Sequence, residues 1–139
     1  MNIRRFQPSD IESCVGILQL NDQYKYPEVD GLEAMMRIYQ RPENPFFIAE
    51  ENGSVVGMIR GCYDGSRPLI WQLSIHPNYQ GRGIGKALVK EVAKFFKEKG
   101  HKTVSITASH DSKSFYEGVG FEEIPIVFML ADIDKILER

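Results

Sequence analysis

The stretch Gln80-Gly81-Arg82-Gly83-Ile84-Gly85-Lys86 combines residue types that can hold a phosphate. Glycines let a backbone turn sharply and come close to an anion. A helix opening at that point aims unpaired N–H groups and the positive end of its dipole at the same place. Arg82 and Lys86 add fixed positive charge. Further along, Phe115-Tyr116-Glu117-Gly118-Val119-Gly120-Phe121 sets a tyrosine among aromatic and small residues. With an ordinary pKa near 10, a tyrosine hydroxyl stays protonated at neutral pH and can give its proton to a leaving group.

Two phosphate loops are excluded by spacing. A P-loop has four residues between its first glycine and a Gly-Lys pair followed by Ser or Thr. Here Gly81 stands too near Gly85, and Ala87 follows Lys86. The dinucleotide fingerprint G-x-G-x-x-G wants its third glycine where Lys86 stands, and belongs near the start of a βαβ unit rather than past mid-chain.

Read as Gln80, Gly83 and Gly85, the stretch fits Q/R-x-x-G-x-G/A, and the chain resembles the GNAT family of N-acetyltransferases from Ile3 to about Leu130. Leu73-Ser74-Ile75-His76-Pro77 resembles that family's fourth strand and its exit, and Phe115 to Phe121 its second motif. The resemblance implies acetyl-CoA as co-substrate, an amine acceptor and no metal. It implies that the pantetheine arm lies along the backbone of Leu73, Ser74 and Ile75 as an added strand would. A backbone N–H at Leu73 then faces the thioester oxygen, and Gln80, Gly81, Arg82, Gly83, Ile84, Gly85 and Lys86 hold the pyrophosphate. Tyr116 takes the role of general acid toward the departing thiolate, its alternative being a packing residue that only bonds the cofactor. Ser109 stands where many relatives have an asparagine against the pantetheine, and its reach is shorter.

The elements needed to position these residues follow from periodicity. Ile3 to Phe6 reads as a first strand, and Ser9-x-x-Glu12 as a capping box opening a helix with Ile11, Cys14, Val15 and Leu18 on one face. A polar, turn-rich stretch from Asn21 to Asp30 leads to a second helical pattern at Leu32, Met35, Met36 and Tyr39, ending before Pro42. Phe46 to Glu50 and Val55 to Tyr63 form a hairpin at Asn52-Gly53, and Leu69 to Ile75 a third antiparallel strand. Ile84, Leu88, Val92 and Phe95 or Phe96 mark an amphipathic helix stopped at Gly100, and Thr103 to Ala108 returns as a strand parallel to the one before it. Ser112 to Val119 reads as a short helix in which Gly118 is a weak helix former. Phe121 to Ile124 and Ile126 to Leu130 read as closing strands, and Ala131 to Arg139 as a short helical tail. The expected fold is α/β (α+β): one N-acetyltransferase domain over residues 1–139, with a mixed, mostly antiparallel sheet, a splayed parallel pair at strands 4 and 5, and flanking helices.

Composition narrows the class. The 139 residues suffice for one domain with a real core. A formal net charge of −2 makes no electrostatic case for nucleic acid or an anionic membrane as main partner. With no signal-peptide pattern after Arg4-Arg5 and no membrane-length apolar run, the expected location is cytoplasmic. Cys14 and Cys62 lie in apolar-patterned segments without C-x-x-C spacing and read as buried free thiols. The closing strands offer an edge with which a second copy could pair, so a homodimer is among the expectations.

The general base and the acceptor stay open. No Asp or Glu occurs between Gly65 and Lys90 or from Thr103 to Ala108, where many relatives carry one. Glu50, Asp64 and His110 are candidates, set against deprotonation through water, while His76 reads as a structural residue at the strand exit. Asp22, Glu28, Asp30 and Glu33 could attract a cationic amine or form a solvated face. Tyr24 and Tyr26 could line the acceptor site or cover the core. The missing carboxylate keeps a second class alive: an acyl-CoA-binding regulatory or interaction domain without turnover.

Overall fold

In the computed structural model, which describes residues 1–139, Asn2–Arg5 (β1), Phe46–Glu51 (β2), Ser54–Tyr63 (β3), Pro68–Ile75 (β4) and Ser105–Ile106 (β5) form a sheet in the order β1-β2-β3-β4-β5. All pairs are antiparallel except β4–β5. Asn52 and Gly53 have φ of 50° and 81°, the two positive angles that a type I′ turn between β2 and β3 requires. The helices are Ile11–Leu20 (α1), Pro27–Asp30 (α2), Leu32–Tyr39 (α3), Ile84–Glu98 (α4), Lys113–Val119 (α5) and Ile133–Leu137 (α6). None is long and apolar enough to cross a membrane. The chain divides into two compact units, Met1–Ile106 and Thr107–Arg139.

In the first unit, side-chain alternation gives the sheet two buried faces. Phe6, Cys14, Leu18, Met35, Phe46, Ile48 and Met58 pack as one cluster that joins α1 and α3 to β2 and β3. Each such side chain withdrawn from water contributes about 1.5–3 kcal/mol. On the opposite face, Gly57 lets α4 approach closely: a Cβ there would lie 2.8 Å from Ile75 Cδ1 and 3.3 Å from Leu88 Cδ1. Ile84, Leu88, Val89, Val92 and Phe96 are the buried stripe of α4. Gly100, at φ 91°, ends that helix, with His101 N–H donating to Phe96 O and Gly100 N–H to Lys97 O.

Two local expectations give way. The turn before α1 is fastened by Asp10 rather than by Ser9 and Glu12: Asp10 accepts the Gln7 N–H at 2.8 Å and both Arg4 terminal nitrogens at 2.8 Å each. Asp10 is buried and Ser9 exposed, so the carboxylate nearest the arginine takes the cap.

In the second unit, α5 ends at Gly120, and Tyr116 meets Phe115 and Phe121 edge-on at 4.9 and 5.5 Å. The closing strands expected at Phe121–Ile124 and Ile126–Leu130 do not form, and Ile126 to Leu130 are exposed. Pro125 lacks the N–H that would continue a ladder, and apolar alternation supplies a face for a strand but not its partner. The tail helix α6 does form, with its own residues exposed.

Candidate active site

The parity of the β3–β4 ladder sets which backbone groups of β4 are free. His76 N–H donates to Val56 O, so Ser74 and Gln72 also turn their backbone groups toward β3. Leu73 and Ile75, between them, turn theirs the other way. On that side β5 pairs only at Leu69↔Ser105 and Ile70↔Ile106, leaving the β4 backbone from Trp71 onward without a β5 partner. The register slips between Arg60 and Gly61: Arg60 faces Gln72 while Gly61 faces Ile70, so Trp71 is an extra residue. Such a bulge bends a strand and re-aims the backbone beyond it.

Side chains take the carbonyls on this edge. Ile75 O accepts from Asn21 Nδ2 at 2.7 Å and from Gln80 Nε2 at 3.0 Å, and Leu73 O from Gln23 Nε2 at 3.2 Å. Asn21 also donates to Ser74 Oγ at 2.8 Å and accepts from Gln80 at 3.3 Å. Ser74 is buried, its hydroxyl on the α1 face.

Beyond His76, whose Nδ1 caps the Pro77–Tyr79 turn by accepting the Asn78 N–H at 3.1 Å, the glycine loop follows. His76 is thus the structural residue expected at the strand exit. Gly81 and Gly83 have φ of 77° and 83°, which side chains adopt at a cost. Gly83 is the N-cap of α4 and accepts from Ala87 N–H at 3.1 Å, so Ile84, Gly85 and Lys86 present N–H groups that no earlier turn of the helix can use. Arg82 lies over the Tyr79 ring at 4.9 Å, and Lys86 is exposed.

In the second unit, Tyr116 is buried, and that burial pushes its phenol up to about 12. Ser109 is exposed and exchanges a hydroxyl bond of 3.0 Å with Ser112, in the turn that leads into α5.

The base candidates have other partners. Glu50 accepts from Asn2 at 3.0 Å and lies 3.4 Å from Arg4 Nε. Asp64 closes a turn by accepting the Ser66 and Arg67 N–H groups at 2.8 and 2.7 Å, and these bonds hold its carboxyl below the ordinary range. His110 is exposed. Cys14 is buried and its thiol is pushed up to about 12 by that burial, whereas Cys62 is only half-buried; both are free.

On the α1–α3 face of the first unit, a cleft of about 340 Å³ is lined by Glu28, Arg37, Arg41, Arg60, Cys62 and Trp71, among others. The four acidic candidates of the acceptor loop separate here. Asp22 pairs with Lys25 at 3.2 Å, Glu33 is exposed, and Glu28 lines the cleft. Asp30 is buried, accepting the Lys25 and Tyr26 N–H groups at 2.8 and 3.1 Å. Tyr24 packs on the core while Tyr26 is exposed. Asn21, Gln23 and the Arg60–Asp30 pair were not singled out by sequence, because a turn-rich polar stretch carries no spacing that marks one member.

The acetyltransferase (GNAT) family model matches residues 14–121. A protein named acetyltransferase from Yersinia pestis is 30% identical over 125 residues, covering 88% of each chain. Among solved structures, a transcriptional regulator from Bacillus halodurans superposes with a TM-score of 0.81 at 24% identity, covering 94% of this chain and 99% of its own. The aminoglycoside N-acetyltransferase AAC(6')-Iy, in complex with CoA, gives 0.79 at 21% identity, covering 94% and 93%. With the glycine loop at the start of α4 and the parallel β4–β5 pair in place, the chain belongs to the GNAT family of acetyltransferases.

Proposed function

We propose that this enzyme moves the acetyl group of acetyl-CoA to a primary amine by direct attack in a ternary complex, as one N-acetyltransferase domain over residues 1–139. The family match runs across the boundary between the two units, which supports treating them as one domain. The observation that carries the reading is the joining of two binding features by one side chain: Asn21 ties the exit of β4 at Ile75 to Gln80, the first residue of the glycine loop.

Acetyl-CoA fits the residues present. The N–H groups of Ile84, Gly85 and Lys86, and the glycine backbone before them, suit a pyrophosphate, with Arg82 and Lys86 supplying charge. The outward N–H groups of Leu73 and Ile75 suit an extended pantetheine amide chain. In the reaction, the amine nitrogen bonds to the thioester carbon, and the Leu73 N–H takes the negative charge that gathers on oxygen. As the C–S bond breaks, Tyr116 gives its proton to the thiolate. Burial keeps that phenol protonated at working pH. Ser109 serves as a shorter-reaching partner for pantetheine. The amine's own proton leaves to water, directly or by way of the exposed His110, since Glu50 and Asp64 are occupied by structural bonds.

That occupation also favours the second reading, an acyl-CoA-binding domain without turnover. Calorimetry with acetyl-CoA, followed by CoA release with a thiol reagent across a panel of amines and peptides, separates the two. Binding with acceptor-dependent release supports the transferase; binding without release from any acceptor supports the silent domain; and absence of binding removes both.

A further inference from the structure

We propose that the cleft beside α2 and α3 binds a carboxylate of the acceptor, so that the amine acetylated by this enzyme is a small molecule of the amino-acid class. The inference rests on the transferase reading above for the reaction, and on the cleft alone for the carboxylate.

Arg60 is the anchor. It is 1% exposed and lines the cleft from β3. Its Nη2 donates to Val29 O at 2.8 Å and to Asp30 Oδ1 at 3.4 Å, while Nε and Nη1 are buried without any acceptor. A buried donor left unpaired is costly, and a guanidinium fork matches a carboxylate in shape and charge. Asp30 has little left to offer, for it already accepts two backbone N–H groups and lies 3.3 Å from Gln72 Nε2. Burial lowers the Arg60 guanidinium to about 10, so it remains charged at neutral pH.

The surroundings share the sign. Arg37, in the last turn of α3, and Arg41, just past the end of that helix, both line the cleft, and Arg37 is held toward α2 by donating to Glu28 O at 3.2 Å. Against three arginines, Glu28 is the one carboxylate in the lining. A polycation would meet like charge here, and an anion would be drawn in.

Position links the cleft to the chemistry. Trp71, the bulged residue of β4, lines the cleft and stands two positions before Leu73, a rise of roughly 7 Å along a strand. One small molecule spans that length with a carboxylate at Arg60 and an amine at the β4 edge.

The test uses matched pairs that differ only in the carboxylate and carry an amine at the far end of the chain: lysine with cadaverine and ornithine with putrescine, beside a panel of the twenty common amino acids. CoA release is expected to be at least about 10-fold more efficient for the amino acid of a pair, through KM. The exposed double variant Arg37→Gln/Arg41→Gln is expected to erase most of that preference by raising KM for the amino acids. Arg60→Gln should erase it as well, with a thermal melt to check folding. Equal or better turnover of the decarboxylated amines overturns the carboxylate subsite and leaves acetyl transfer standing. Trp71 is the sole tryptophan, so its emission reports occupancy without any turnover. If no amine is acetylated, an emission change with amino acids but not with their decarboxylated partners, lost in the Arg37/Arg41 variant, keeps the subsite and removes the transferase. No change with any amino acid removes the subsite.

Discussion

Asn21, the residue closing α1, donates to the carbonyl of Ile75 at 2.7 Å, although the two lie on opposite sides of the hairpin in sequence. The same side chain reaches Ser74 and Gln80, so one amide sets the distance between the β4 edge and the glycine loop. Asn21→Ala removes these bonds and leaves Ile75 O with Gln80 alone. The expected outcome is an acetyl-CoA Kd raised about 3- to 10-fold and stability lowered by ~1–2 kcal/mol, read by calorimetry and urea titration. An unchanged Kd would show that the loop is positioned without Asn21.

Gly83 is the left-handed N-cap of α4, with φ of 83° and open space where a Cβ would stand. The cost of Gly83→Ala is therefore conformational, about 1–2 kcal/mol. Because relief of that strain turns the first N–H groups of the helix, acetyl-CoA binding is expected to weaken by about 10-fold. Comparison of Kd with Gly118→Ala, in α5, checks that the effect belongs to the loop.

Tyr116→Phe keeps the ring that packs on Phe115 and Phe121 and removes only the hydroxyl. If Tyr116 is the proton donor, kcat falls on the order of 100-fold with acetyl-CoA Kd unchanged. A parallel weakening of Kd with an unaltered kcat would make it a binding residue. Since burial holds the phenol at about 12 in the folded chain, above its ordinary 10, no alkaline loss of rate from this group is expected below pH 10.

With Glu50 and Asp64 committed to structure, the pH profile should belong to the acceptor. The logarithm of kcat/KM is expected to rise with pH at a slope near one until the pKa of the amine used, and to move when a less basic amine replaces it. A plateau at the same pH for amines of different basicity would instead reveal a base on the protein.

Asp10 tests stability. Burial alone would raise its carboxyl, but the Arg4 side chain and the Gln7 N–H outweigh that and leave it lowered from 3.8. A carboxyl held lower in the folded state adds stability above the unfolded pKa, which is lost as pH falls through the folded value. Asp10→Asn is expected to cost about 1–3 kcal/mol in urea titrations at pH 7, and the difference is expected to shrink as pH falls below 3.8 through the folded value, where the carboxyl becomes neutral.

Much of the fold was readable locally. The Asn52-Gly53 turn, the apolar stripe of α4, its stop at Gly100 and the two positive-φ glycines of the loop are each set by residues within a few positions of one another. Periodicity and φ preference are properties of neighbours, so sequence alone determined the glycine loop, the helix behind it and the strand before it. The short parallel contact of β5, at only Ser105 and Ile106, was legible as a strand but not in its extent.

Tertiary structure decided the rest. Arg60 and Asp30 are joined only because α2 is laid against β3, and Asn21 meets Ile75 and Gln80 only because α1 ends over the exit of β4. Asp30 read only as one of four acids that could attract a cationic amine or form a solvated face, and Arg60 carried no local signal of its own. Burial of such a pair depends on neighbours remote in the chain, whose packing geometry no local pattern encodes. The same reason undid the closing strands: alternation from Ile126 to Leu130 describes a face, but a strand exists only when another backbone accepts its hydrogen bonds.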